Sequence, residues 1–142
     1  METDRRTGQK KHIKCEYGAE FRRDRTLPIT PLDENCEQWF LFTPFGEIKG
    51  VNDAAVETIR ILNLDCQRLK DERSNIITAI LLNKELTETA VKRKAENAFE
   101  RDGSNRFQPY CFVLKLACKL RLIKFEKDAK RKKFVQQQKN KK

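Results

Sequence analysis

Cationic side chains are concentrated in the last quarter of this sequence. Residues 109–142 carry twelve Lys or Arg and two Asp or Glu, in a chain of 142 residues whose net charge is +10. The preceding parts nearly cancel, since residues 1–30 carry a net +3 and residues 31–108 a net −3. This asymmetry predicts an anionic partner, which can be nucleic acid, an acidic protein or an anionic membrane.

We expect these cations to contact nucleic-acid phosphates, with DNA favoured over RNA and no membrane role. Each phosphate contact releases counterions, so six contacts would make log affinity fall with log salt at a slope of about −5. Lysine outnumbers arginine here, which favours backbone attraction over base recognition and predicts weak sequence preference. The predicted nucleic-acid-binding residues are Lys115, Lys119, Arg121, Lys124, Lys127, Lys130, Arg131, Lys132 and Lys133.

Catalytic and metal chemistry find little support in the sequence. The chain has a single histidine, His12, in a charged N-terminal stretch that offers no packed neighbours to orient a base. No glycine-rich phosphate loop or paired-carboxylate motif occurs. His12, Cys15 and Cys36 could ligate zinc, but a fourth ligand is not obvious. We therefore expect no enzyme activity, no catalytic or metal-ligating residues and no cofactor.

Targeting signals and cysteine usage favour a reducing compartment. The five cysteines are odd in number and scattered, with no C-x-x-C pair, which argues against a disulfide framework. The N-terminus lacks the apolar stretch of a secretory signal. Residues 130–133 have the composition of a nuclear import signal. We expect a nuclear protein, or otherwise a cytoplasmic one, that is not secreted.

The first third of the chain is predicted to be β-rich. Residues 1–12 are predicted to form a disordered basic arm, and the period-two pattern from Ile13 to Arg25 suggests a half-buried strand. Two apolar runs around a Pro- and Gly-containing turn predict a β-hairpin over residues 39–51. The fold class is thus α+β and mostly helical, with a small N-terminal β-hairpin region.

Helical spacing of apolar residues begins after Asn52 and Asp53, either of which can cap the helix. Residues 53–69 and 74–82 form either two helices, the second capped by Ser74, or one long helix. Thr87 caps the next helix, which residues 102–104 end. Pro109 suits the first turn of a fourth helix. We predict one compact domain over 13–136, β-rich over 13–51 and helical over 52–136, followed by a disordered basic tail over 137–142.

Residues 122–136 admit two interpretations. Two β-favouring patches around the Lys127-Asp128 pair predict a basic hairpin, which is the preferred interpretation. Alternatively the fourth helix continues, because Lys, Arg, Glu and Gln are good helix formers.

With the hairpin, the order helix, helix, helix, hairpin resembles a winged-helix domain. The segments that carry the resemblance are 76–82, 86–91, 110–120 and 122–135. The resemblance implies that the third of these helices enters a DNA major groove through Lys115 and Lys119, while cations on the hairpin meet phosphates.

A protein-interaction adaptor, or a subunit of a larger complex, is the alternative. Phe112, Leu116 and Ile123 make the helix over 110–123 apolar nearly all round, which a groove-reading helix normally is not. The predicted partner-binding residues are Phe112 and Leu116 on this helix, and Trp39 and Phe42 in the aromatic ridge over residues 39–45.

Overall fold

The computed structural model describes residues 16–139. The predicted disordered arm over 1–12 and residues 140–142 of the predicted tail lie outside the described residues. The chain is mostly helical with one small antiparallel sheet, which confirms the α+β class. It divides into two compact units: unit 1 holds the described residues up to Thr43 together with 47–70, and unit 2 holds residues 44–46 and those from Asp71 onward. That they form a single domain over 13–136 stays a prediction.

The predicted hairpin near the N-terminus is confirmed in unit 1. Strand β1 (Phe40–Phe42) pairs antiparallel with β2 (Ile48–Gly50), with Leu41 opposite Lys49. The Thr43 backbone N–H donates to the Glu47 carbonyl at 2.9 Å and closes the turn. A 3-10 turn (Cys36–Trp39) leads into β1.

The strand predicted from Ile13 to Arg25 is wrong for the residues described. A short helix, α1 (Ala19–Arg22), stands there instead, and the preceding Gly18 has φ of 71°, which breaks an extended backbone. Its position is fixed by contacts within the unit: the Gly18 N–H donates to the Leu62 carbonyl at 2.8 Å, and the Arg25 guanidinium donates to the Ile61 carbonyl at 3.2 Å. A two-residue period could not reveal these contacts.

Of the two predicted caps, Asn52 is the one that starts helix α2 (Asp53–Leu62): its side chain accepts the Ala55 N–H at 2.8 Å. Gly50 lets β2 lie against this helix, since a Cβ there would be 2.4 Å from the Val56 nitrogen. Residue spacing alone does not reveal this need for glycine at position 50. The apolar core of unit 1 consists of Ile29, Ile48, Ala55, Ile61, Cys66 and Leu69.

Two helices stand where the sequence predicted one or two, but the break between them lies at residues 63–66, inside the predicted first helix over 53–69. Asn63 ends α2 in the left-handed conformation with φ of 49°, and α3 (Gln67–Leu81) starts four residues later. Ser74 lies inside α3, so the predicted cap at this residue is wrong. The predicted cap at Thr87 is confirmed, because its hydroxyl accepts the Ala90 N–H at 3.2 Å at the start of α4 (Glu88–Glu96).

The last helix of unit 2 is α5 (Cys111–Lys139), and its length contradicts the predicted basic hairpin. Residues 122–136 are helical, so the hairpin is wrong and the alternative of a continuing helix is confirmed. The physical reason is composition: the stretch has no Gly, Pro or Asn to take the φ values of a hairpin turn, while most of its residues are strong helix formers. Residues 137–139 of the predicted disordered tail also belong to α5.

The N-terminal half of α5 packs along α4 and the 3-10 turn (Asn97–Phe99). It begins at Cys111, two residues after Pro109, the residue predicted for its first turn. Its buried positions are Cys111, Val113, Ala117, Cys118 and Arg121, and they join Ile77, Ile80, Val91 and Ala98 in the core of unit 2. Among residues 16–139, no helix has the length and apolar character needed to cross a bilayer.

Candidate nucleic-acid interface

Four of the nine predicted cations share one face of α5. Lys115, Lys119, Lys130 and Lys133 are all exposed and follow one another at spacings of four, eleven and three residues. These spacings are close to whole numbers of helical turns, so the four side chains lie within about 60° around the helix axis. We call these four lysines the outer face. It extends over about 27 Å, since each residue advances the helix by about 1.5 Å.

Three other cations form a separate stripe. Lys124, Lys127 and Arg131 are exposed and lie three and four residues apart, which places them on one side of the helix; we call them the side face. Lys132 points away from both stripes. The exposed predicted residues therefore surround α5, and no flat surface can contact all of them at once.

Arg121 occupies a different environment from the other predicted residues. It is buried, and its guanidinium donates hydrogen bonds to the Leu81 carbonyl at 2.9 Å and the Asn83 carbonyl at 3.1 Å. It also lies 4.6 Å from the centre of the Phe125 ring. Two of its N–H groups thus satisfy carbonyls at the end of α3. One sequence signal could have separated it: Arg121 continues the four-residue spacing of Val113 and Ala117 along the buried side.

The C-terminal half of α5 is a helix exposed on every side. Each residue from Glu126 to Lys139 is exposed, over about 21 Å of helix. Glu126 and Asp128 are the acidic residues of this segment, and positions 129–139 carry five Lys or Arg and no Asp or Glu. With little burial to stabilise it, this half depends on the helix propensity of its own residues.

The predicted partner-binding residues lie in two places. Trp39 and Phe42 are half-buried in unit 1, flanking or within β1. Leu116 is half-buried in unit 2, and Phe112 has 47% of its surface exposed.

Phe112 belongs to an aromatic cluster that sequence reasoning missed. Its ring centroid lies 4.9 Å from that of Phe99, which in turn lies 6.4 Å from that of Phe107. The Arg101 guanidinium lies 4.4 Å from the centre of the Phe107 ring, and the Lys115 ammonium lies 4.8 Å from the centre of the Phe99 ring. Helical spacing places Phe99 on one side of the preceding helix, and nothing in that spacing connects it with Phe107.

The described part of the chain has few side chains suited to acid–base chemistry or to metal binding. Residues 16–139 contain no cluster of three or more His, Cys, Asp or Glu side chains placed to hold a metal ion. Burial raises the pKa of the Cys118 thiol, which disfavours the reactive thiolate. His12 and Cys15 lie outside the described residues.

Comparisons of the chain with protein-family models, curated proteins and solved structures gave no match.

Proposed function

We propose that this protein binds nucleic acid through α5, without catalysis and with little sequence preference. The observation that carries the proposal is the fourteen-residue segment from Glu126 to Lys139, which is helical, exposed throughout and cationic. Exposed lysines approach phosphates without first leaving a buried position. The attraction grows with the number of phosphates neutralised.

The outer face is the surface we assign to phosphates. Its lysines continue from the packed half of α5 into the exposed half, so the body of unit 2 holds one end of the interface in place. Glu126 lies between Lys119 and Lys130 on this face and weakens the attraction locally. Arg121 is left out of the proposed set, because its guanidinium already binds carbonyls of unit 2.

The proposed mode differs from that of a winged-helix domain. The strands of a wing are replaced by helix in residues 122–136, so no hairpin is available there to follow the phosphate backbone. Phe112 and Leu116 also lie close to the lysines of α5 and leave few polar side chains for base edges. We therefore propose binding through the backbone of the nucleic acid, with DNA favoured over RNA. We also propose a nuclear location, because residues 130–133 have the composition of an import signal.

A salt titration with matched variants tests the proposal. Binding of a fluorescent duplex is followed by anisotropy for the natural chain and for a variant with Lys130, Arg131, Lys132 and Lys133 changed to Gln. We expect the variant to bind more weakly and its salt slope to flatten by about 0.9 for each phosphate that it no longer neutralises.

The control variant changes four exposed cations elsewhere, Lys49, Arg60, Lys84 and Lys92, to Gln. It has the same net charge as the first variant, so it separates a local surface from the overall attraction of a basic protein. Equal weakening by both variants, or no binding by the natural chain in dilute buffer, would contradict the proposal.

The adaptor function remains the second candidate, and the sheet of unit 1 favours it. Leu41 in the middle of β1 has 59% of its surface exposed, between the half-buried Phe40 and Phe42. An exposed apolar side chain of this size is available to a partner protein, although single ones are common on protein surfaces. Purification from cells with and without nuclease separates the two candidates, since an adaptor keeps its companion after nucleic acid is digested.

A further inference from the structure

Three phenylalanine rings meet at the surface of unit 2, next to the start of the outer face. Phe99 contacts both neighbours in edge-to-face geometry, and we call Phe99, Phe107 and Phe112 the aromatic platform. Phe107 and Phe112 keep 48% and 47% of their surfaces exposed. Two half-exposed rings joined through a third form an apolar patch, and such a patch rimmed by polar residues is typical of a surface that meets a ligand.

The loop that carries Phe107 is ordered by its own hydrogen bonds. One Asp102 carboxylate oxygen accepts the backbone N–H groups of Ser104 and Arg106, both at 2.9 Å. The Asp102 N–H donates to the Arg106 carbonyl at 2.8 Å, and Arg101 pairs with Phe107 across the loop. The backbone that carries Phe107 is therefore ordered before a ligand arrives, which lowers the entropic cost of binding.

Cations border the aromatic platform. Arg101 lies over Phe107, and Lys115 lies over Phe99. Lys115 is also the first residue of the outer face, and Lys119 follows it by one turn of the helix. The Asp102 carboxylate is turned into the loop, while Glu100 adds one exposed negative charge. A strand whose backbone follows the outer face would bring its bases to the rings.

We infer that the aromatic platform stacks the bases of a single-stranded nucleic acid whose phosphates follow the outer face of α5. This inference rests on the proposed function and names its substrate class. Proteins that bind single strands without sequence preference combine a cationic track with aromatic rings, because every base has a π-face. A duplex buries those faces in its own stack, so it can use the lysines but not the rings.

The test compares single-stranded and duplex binding by one variant. Fluorescence anisotropy follows oligothymidine and oligouridine strands of about 15 nucleotides, and a duplex of the same length. Phe107→Ala is expected to lower the affinity for a single strand by about tenfold and to leave duplex affinity unchanged. Phe107→Trp, which keeps a flat aromatic ring, should retain single-strand binding.

Phe45→Ala is the matched control, because it removes the same side chain from a residue that is 79% exposed and outside the platform. It should bind both ligands as the natural chain does, and thermal unfolding of each variant verifies folding. Weaker binding of either the DNA or the RNA strand by Phe107→Ala supports the platform. The inference is overturned if Phe107→Ala binds single strands normally or weakens duplex binding equally. If the natural chain binds the duplex and Phe107→Ala has no effect on single-strand binding, this inference alone fails. If the natural chain binds no nucleic acid, the proposed function fails as well.

Discussion

Changing two outer-face lysines to glutamine measures whether α5 binds a duplex with one face. Lys130→Gln/Lys133→Gln removes two of the four outer-face cations. Lys127→Gln/Arg131→Gln removes two side-face cations from the same exposed segment. Both variants have the same net charge, and glutamine is a good helix former, so far-UV circular dichroism should show equal helix content.

The geometry of α5 gives the expected magnitude. Four outer-face lysines on phosphates predict a slope of about −3.6 for log affinity against log salt, or a fall of about 150-fold between 50 and 200 mM salt. With two such lysines left, the slope becomes about −1.8 and the fall about 12-fold. The side-face variant should keep a slope of about −3.6, because a helix lying on a duplex presents one face at a time.

Anisotropy of a labelled duplex across this salt range measures the slopes directly. If the two variants flatten the salt slope equally, binding by one face is refuted, and the cations around the whole helix contribute alike. A larger effect of the side-face variant would place the contact on Lys124, Lys127 and Arg131 instead. Glu126→Gln provides an internal check, since removing a carboxylate from the middle of the outer face should raise the affinity.

Two further predictions concern stability. Gly50→Ala should lower the free energy of unfolding in urea by about 1–3 kcal/mol, because the new Cβ would lie 2.4 Å from the Val56 nitrogen. Val51→Ala, at an exposed residue, serves as the control. An unchanged unfolding midpoint of Gly50→Ala would contradict the close packing of β2 against α2. Arg121→Gln should lower the free energy of unfolding by about 3 kcal/mol, because the Leu81 and Asn83 carbonyls would be left without charged donors. As a control, Arg131→Gln on the exposed part of α5 should change the free energy of unfolding by less than about 0.5 kcal/mol.

The local sequence was sufficient to predict an element where that element depends on its own residues. Asn52 and Thr87 cap their helices through hydrogen bonds to an N–H three residues later, which side-chain chemistry and position alone predict. The hairpin of β1 and β2 likewise follows from two apolar runs and the turn between them. The concentration of cations at the C-terminus is a property of the sequence in any fold.

The segment over 122–136 shows where local preference misleads. Its β-favouring residues pointed to strands, whereas the helix formers between them and the lack of Gly, Pro and Asn carry α5 through to Lys139. A helix distributes the cations around its axis, whereas a hairpin would have lined them along a ribbon. The sequence determined how many cations there are, and the secondary structure decided which ones share a face of the helix.

Only the tertiary structure distinguished Arg121 from its cationic neighbours and brought the phenylalanines together. Arg121 is one more cation in the sequence, but in the fold it faces the end of α3 and binds carbonyls there. Phe99, Phe107 and Phe112 are separated by up to thirteen residues and meet because a loop returns to the start of α5. Charge and capping are properties of single residues and their near neighbours, whereas burial and stacking depend on contacts between distant parts of the chain, which only the folded chain supplies.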